Sequence, residues 1–243
     1  MLLHRSYAVV DDVYFYLWTG HGMNCNSVVL ANKLPGTQPH THILVDPGMT
    51  STGMGERSLE ALAEAMAADG LRFEDVGLVF GTHSHPDHYQ AVDEVVKRTG
   101  AAVALSRAED EFLRGAGGAF FGSFGKGAPT TRPSLLVEDG ELPVDSGTPS
   151  GIEVIVAPGH TPGCACLLLK ESGVLVSGDV VFPGSIGRMD FPGGSVSQMK
   201  RSIDRLSALD IEYILPGHSG PSAPIVAGRD NVARNFQMVR MFF

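Results

Sequence analysis

Apolar residues along the chain come in short runs, and glycine, proline or aspartate closes most of them. Val13 to Thr19 and Ser27 to Leu30 are rich in aromatic and β-branched residues and predict strands. Pro35-Gly36 predicts a turn, and His42 to Val45 a strand that runs into Asp46-Pro47-Gly48. A helical period begins at Ser58, with Leu59, Leu62 and Met66 on one face and Gly70 as the stop. Val76 to Phe80 predicts a strand ending at Gly81-Thr82-His83. A helix is predicted from about Asp87, with Val92, Val95 and Val96 inward and Lys97-Arg98 before Gly100. Ala101 to Leu105 follows as a buried strand.

The second half repeats this order. Ile152 to Ala157, Cys164 to Lys170 and Val174 to Ser177 predict strands. Ser195-Val196-Ser197-Gln198 has capping-box form and opens a helix with Val196, Met199, Ile203 and Leu206 inward. Ile211 to Leu215 predicts a last strand and Ala227 to Arg240 a closing helix. Between the halves, residues 115–133 are glycine-rich, show no period, and carry Phe120, Phe121 and Phe124. They predict a long loop, either a lid over substrate or a disordered surface loop. One α/β domain, 1–243, is expected, with packed halves at about 1–114 and 134–243 joined by that loop.

Composition narrows the function. Hydrophobic residues make up 43% and charged residues 19%, which excludes a disordered chain. Eighteen Lys and Arg against 27 Asp and Glu give a net charge of −9, a poor match to nucleic acid. No run approaches the roughly 20 apolar residues of a membrane span, and the N-terminus lacks signal-peptide order, so a cytoplasmic location is expected. Cys25, Cys164 and Cys166 are too few for a disulfide framework; Cys164 and Cys166 share a face of a predicted strand and read as buried free thiols. Gly125-Lys126-Gly127 lacks the flanking residues of a phosphate loop. The apolar end from Met238 to Phe243 suits internal packing or a partner equally, so no oligomeric state follows.

The chemistry concentrates in histidine. In Thr82-His83-Ser84-His85-Pro86-Asp87-His88, alternate residues leaving a strand point the same way, so His83 and His85 converge. Pro86 then turns the chain into a helix and brings Asp87 and His88 to the same mouth. His160 in Pro158-Gly159-His160-Thr161-Pro162-Gly163, Asp179 in Ser177-Gly178-Asp179 and His218 in Pro216-Gly217-His218 repeat the context of a strand end, a glycine and a ligand type. Such a set predicts a metal site at one edge of two sheets. His4, His21, His40 and His42 lack that context and read as surface or core residues.

This ordered set resembles the metallo-β-lactamase superfamily of hydrolases, from Asp46-Pro47-Gly48 to Pro216-Gly217-His218. The segment Gly184-Ser185-Ile186-Gly187-Arg188-Met189-Asp190-Phe191-Pro192-Gly193-Gly194 is similar to the glyoxalase II-like branch, and a related segment occurs in persulfide dioxygenases. The resemblance implies a four-layer αββα sandwich of two mixed sheets flanked by helices. It implies one metal on His83, His85 and His160, a second on Asp87, His88 and His218, and Asp179 bridging them. A divalent ion lowers the pKa of bound water to about 7, and two ions about 3.5–4 Å apart share the hydroxide and polarise a carbonyl. Asp87 and Asp179 are then the catalytic carboxylates, with Asp87 able to orient the hydroxide. Asp46 either orients a ligating histidine or caps its own turn, and Thr82 and Thr161 are candidates for the same support. Arg188 is the candidate contact for a substrate carboxylate. Tyr89 and Gln90 stand where relatives carry small residues and are expected to narrow the pocket.

The implied activity is hydrolysis of a small-molecule thioester or comparable activated ester by a metal-bridging hydroxide. Full-length glyoxalase II proteins add a C-terminal helical region that binds glutathione; with about 25 residues after His218, that region is expected to be absent. The alternatives are a mononuclear iron sulfur dioxygenase using His83, His160 and Asp179, a lactonase, and a phosphoesterase or nuclease on the same fold. Imidazole and carboxylate suit zinc, iron and manganese alike, with zinc the first expectation.

Overall fold

The computed structural model describes residues 3–34, 39–144 and 149–243. The turn expected at Pro35-Gly36 lies outside the described residues. Seven strands form the first sheet in chain order: β1 (His4–Val10), β2 (Val13–Trp18), β3 (Ser27–Leu30), β4 (His42–Val45), β5 (Val76–Phe80), β6 (Ala102–Ser106) and β7 (Leu135–Val137). The first four pair antiparallel, and β4 to β7 pair parallel. The chain crosses to the second sheet between Val137 and Gly140. There the strands are β8 (Gly140–Glu141), β9 (Ile152–Val156), β10 (Ala165–Leu169), β11 (Val174–Gly178), β14 (Tyr213–Pro216) and β15 (Val226–Ala227), in the order β15-β14-β11-β10-β9-β8. A small hairpin, β12 (Val181–Phe182) with β13 (Ser185–Ile186), stands beside it.

Three apolar layers separate four structural layers. Between the sheets, Phe15, Leu17, Ile43 and Phe80 of the first sheet meet Val154, Leu167, Val176 and Leu215 of the second. The outer face of the first sheet is covered by α1 (Ser58–Ala68) and α3 (Val92–Thr99), which bury Leu59, Leu62, Met66, Val92 and Val95. The outer face of the second is covered by α6 (Val196–Leu206) and α7 (Arg229–Val239) through Met199, Ile203, Leu206, Val232 and Phe236. The architecture is the αββα sandwich. Because helices cover both outer faces, central strands such as β10 are buried on both sides and read as continuous apolar runs.

Three local expectations change. The apolar pattern does not predict β1, because Arg5 and Ser6 interrupt it; β1 is an edge strand, and Asp12 at φ 62° makes its tight turn into β2. The helix expected from Asp87 is two helices, α2 (Pro86–Tyr89) and α3. The Ala91 amide donates to the Gly48 carbonyl, and Gln90 Oε1 accepts from both Thr50 N and Oγ1, which ties the break to the loop after β4. The loop expected at 115–133 starts as helix: α4 (Arg107–Phe112) runs on through Leu113–Gly117, where Gly115 at φ −119° and ψ −114° kinks the chain, into α5 (Gly118–Gly122). Glycine costs roughly 1 kcal/mol in a helix, but buried Leu113 and Phe121 each return more than that against the first sheet. Phe121 is therefore core and not lid. No helix of the described residues is long and apolar enough to cross a membrane.

Leu167, wholly buried between the sheets, tests the packing. Leu167→Ala should lower unfolding free energy by about 2–5 kcal/mol in chemical denaturation with little change in m-value.

Candidate metal centre

Strand direction brings the ligand types together. β4 and β5 are parallel neighbours, so Asp46 and the Thr82–His88 segment leave the first sheet at one edge. In the second sheet β11 runs parallel to β14 and antiparallel to β10, and β10 antiparallel to β9. Hence β9, β11 and β14 all end at one edge, and each is followed by a ligand type: His160, Asp179 and His218. The Ala165 amide donates to the Thr82 carbonyl, and the Asn26 amide to the Gly217 carbonyl, each at 2.8 Å, so the two edges coincide.

Local chemistry shapes each loop. Pro86 occupies the first turn of α2 with fixed φ, and Asp87 and His88 follow on that turn. Glycine at 217 is obligatory: a Cβ there would lie 2.3 Å from Asp179 Oδ1. Gly178 takes φ +48° and would meet the Thr82 side chain at 2.4 Å.

Among the described residues, three groups of ligand types each lie within reach of one ion, and one of them, Asp46, His83 and His88, is already joined by the Asp46–His88 hydrogen bond. His83, His85 and His160 are all buried, with ligand atoms within 4.8 Å of one another. Asp87, His88 and His218 form the second group on the same criterion. Asp179 stands between them: Oδ2 is 3.4 Å from His160 Nε2 and 3.5 Å from His218 Nε2, and Oδ1 is 3.3 Å from His88 Nε2. All seven predicted ligand positions are thus brought together.

The tautomers follow from the partners. His160 Nδ1 lies 2.6 Å from the Arg188 carbonyl, which only accepts, so Nδ1 carries the proton and Nε2 a lone pair. His88 Nδ1 donates in the same way to Asp46 Oδ2 at 2.8 Å. Thr82 Oγ1 spends its proton on Asp46 Oδ2 at 2.6 Å and accepts from His83 Nδ1 at 3.1 Å. The Nε2 atoms of His83, His85 and His160 are buried and make no hydrogen bond. Buried lone pairs aimed at a common point, with carboxylates beside them, are what a divalent cation requires.

Protonation preferences agree. Burial, reinforced by His88, keeps the His83 imidazole neutral far below its ordinary range, and burial beside His160 pushes His85 down to about 3. Burial opposes the charge on Asp179, but His218, His88 and His160 outweigh it and hold the carboxyl well below the usual range. Burial opposes the Asp87 carboxylate too, and the His218 hydrogen bond with the His88 charge brings it to about 2. Burial lowers both His88 and His218, yet Cys25 with Asp179 and Asp46 raises the first, and Asp179 with Asp87 raises the second. His88 Nε2 and His218 Nε2 stand 3.1 Å apart, a contact that needs a proton or a cation between them.

The two readings of Asp46 are separated by its contacts. Its carboxylate accepts from Thr82 N, Thr82 Oγ1 and His88 Nδ1, so it orients a ligand-type histidine. Its backbone sits at φ +52°, held by its own amide on the Phe80 carbonyl and by Ser27 Oγ on its carbonyl.

The pocket around the histidines differs from expectation. Tyr89 is wholly buried on the outer face of the first sheet, its ring filling the space that a Cβ on Gly81 would need, and Gln90 is spent on Thr50. Neither narrows the site. Arg188 is exposed, gives Nε and Nη2 to Asp190 at 2.9 and 2.7 Å, and stacks on Phe191 at 4.2 Å. Phe120 lies 5.1 Å from the His85 ring and Phe191 5.7 Å, with 5.1 Å between the two phenyl rings. The sequence does not single out Phe191, nor Asn26, whose Nδ2 donates to the Pro216 carbonyl and to Ser219 Oγ on either side of His218. Neither adjoins a predicted ligand position in the sequence, so no local signal marks them.

The chain matches the family profile described as the metallo-beta-lactamase superfamily over residues 22–218. The probable metallo-hydrolase MJ0888 of Methanocaldococcus jannaschii is 28% identical over 203 residues, covering 82% of this chain and 89% of that protein. Hydroxyacylglutathione hydrolase GloC of Haemophilus influenzae is 29% identical over 186 residues, covering 72% and 78%. Among solved structures, the metallo-beta-lactamase family protein TTHA1429 from Thermus thermophilus superposes with a TM-score of 0.73 at 24% identity, over 97% of this chain and 80% of that one. TTHA1623 in a di-iron-bound form gives 0.67 at 25% identity, over 89% and 96%. The matched span runs from before Asp46 to His218 itself and takes in both donor groups: this chain belongs to the metallo-β-lactamase superfamily.

Proposed function

We propose that the chain is a binuclear metal-dependent hydrolase acting on a small-molecule thioester or comparable activated ester. The observation that carries this reading is the pair of complete donor groups with the Asp179 carboxylate between them. One ion is assigned to His83, His85 and His160, the second to Asp87, His88 and His218, with Asp179 shared. Zinc is the proposed metal, with iron or manganese compatible with the same donors; TTHA1623 is described in a di-iron-bound form.

Two divalent ions so held supply a water that ionises near neutral pH and a Lewis acid for the carbonyl under attack. The chain's residues do the rest. Asp87 Oδ2, 3.3 Å from His218 Nε2, is the oxygen that would help hold the second ion, which would leave Oδ1 to accept a proton of the attacking water. Asp46 and the Arg188 carbonyl keep two imidazoles in the ligating tautomer through the cycle. Phe120 and Phe191 form an apolar wall beside His85 against which a substrate's acyl part excludes water. Arg188 at the rim, with Nη1 not taken up by Asp190, is the proposed contact for a substrate carboxylate. The thioester class draws support from the likeness to hydroxyacylglutathione hydrolase GloC. A mononuclear iron dioxygenase would use His83, His160 and Asp179 and leave Asp87, His88 and His218 without a task, so the binuclear reading is preferred.

Three outcomes are expected. Protein purified without added metal or chelator should carry close to two ions per chain by elemental analysis; one iron per chain, with oxygen uptake on glutathione persulfide, would replace the hydrolase by the dioxygenase. Asp179→Ala should abolish turnover and lower metal content, and a fully active variant defeats the binuclear mechanism. In a panel of thioesters, lactones and phosphoesters, thioesters should be cleaved fastest, with activity lost to chelation and regained on adding zinc.

A further inference from the structure

The geometry points to Glu109 as a positioning residue for the His83, His85 and His160 group. Its purpose rests on the metal-site assignment proposed above. Glu109 lies in the first turn of α4, a helix capped by Ser106, and its side chain is 0% exposed. No Lys or Arg is paired with it among the described residues; its partners are four donors from two loops. Oε1 accepts from Ser84 N at 2.8 Å and from Ser84 Oγ at 2.6 Å. Oε2 accepts from Thr161 Oγ1 at 2.6 Å and from Gly163 N at 3.0 Å.

The positions of those donors are what matter. Ser84 sits between His83 and His85, and Thr161 follows His160. One carboxylate therefore joins the loop after β5 to the loop after β9, which belong to different sheets. The tether is backed by contact: Ser106 Oγ donates to the Gly163 carbonyl at 2.5 Å, and a Cβ on Gly163 would lie 2.2 Å from the Glu109 amide nitrogen. Burying a carboxylate is costly unless every lone pair finds a donor, and here each oxygen finds two. No neutral side chain reproduces this: an amide has one accepting oxygen, and its NH2 would face the Gly163 N–H. Asp46 holds His88 of the other group directly and reaches His83 through Thr82. The Thr82–His88 segment is thus held by a buried carboxylate on each side.

The test is a zinc titration of metal-free protein, with zinc alone in competition with a chromophoric chelator. The wild-type stoichiometry tests the binuclear assignment, and the difference between wild type and variant tests Glu109, so the two can fail separately. Glu109→Gln should weaken one zinc equivalent by about 10–100-fold, the range usual for outer partners of ligating groups, and leave the other within a few fold. Circular dichroism of the metal-free variant checks folding; where Glu109→Gln does not fold, Thr161→Val, which removes one donor and keeps the backbone bonds, should still weaken the same equivalent several-fold. Wild-type affinity at both equivalents in the folded variant, or equal weakening of both, overturns the proposal.

Discussion

Buried lone pairs that face one another are the constraint on which this structure turns. Three imidazole nitrogens with no hydrogen-bond partner, two further imidazoles 3.1 Å apart, and the Asp87 and Asp179 carboxylates share one edge of the sandwich, all buried but the half-exposed His218. Without a cation such an arrangement works against folding, since each group has given up water for neighbours of like polarity. Divalent ions reverse the balance, because neutral imidazole and ionised carboxylate are the forms they bind. The rest of the fold therefore has to hold these groups in place against their own repulsion.

It does so with backbone and buried acids. Every ligand loop leaves the C-terminal end of a strand that is itself fixed by pairing on both sides, so loop placement inherits the rigidity of the sheets. The glycines at 178 and 217 allow the β11 and β14 loops to pack against Thr82 and Asp179 at distances closed to any side chain. Asp46 and Glu109 then clamp the histidine-rich segment from opposite sides, one within the first sheet and one across to the second. Asn26 adds a third tie, from the loop before β3 to the loop that carries His218. Scaffold and site are joined by hydrogen bonds to backbone groups, which do not change with side-chain rotamer.

The substrate side is built differently. Beside His85 the wall is aromatic, and Arg188 at the rim already shares its charge with Asp190. The aromatic contribution from the glycine-rich region is divided: Phe120 faces the site while the adjacent Phe121 is locked in the core, because successive residues on a helix point to different sides. A region with one buried anchor and one residue on the pocket is a fixed wall more than a free lid.

Local sequence is enough to specify the apolar runs that became strands and the ligand types at their ends. Ser27–Leu30, His42–Val45 and Val76–Phe80 are readable because burial imposes a local period, and the seven ligand-type residues because histidine and aspartate after a strand and a glycine are chemically conspicuous. The edge strand β1, the helix α5 within a glycine-rich stretch, the burial of Tyr89 and the pairing of Arg188 with Asp190 come from packing that overrides local preference. So do the roles of Asp46, Asn26 and Glu109. Asn26 meets Pro216 across 190 residues of sequence and Glu109 meets Thr161 across 52. A polar side chain's partner depends on which strand ends the two sheets bring to the same edge, and only the assembled sandwich sets that.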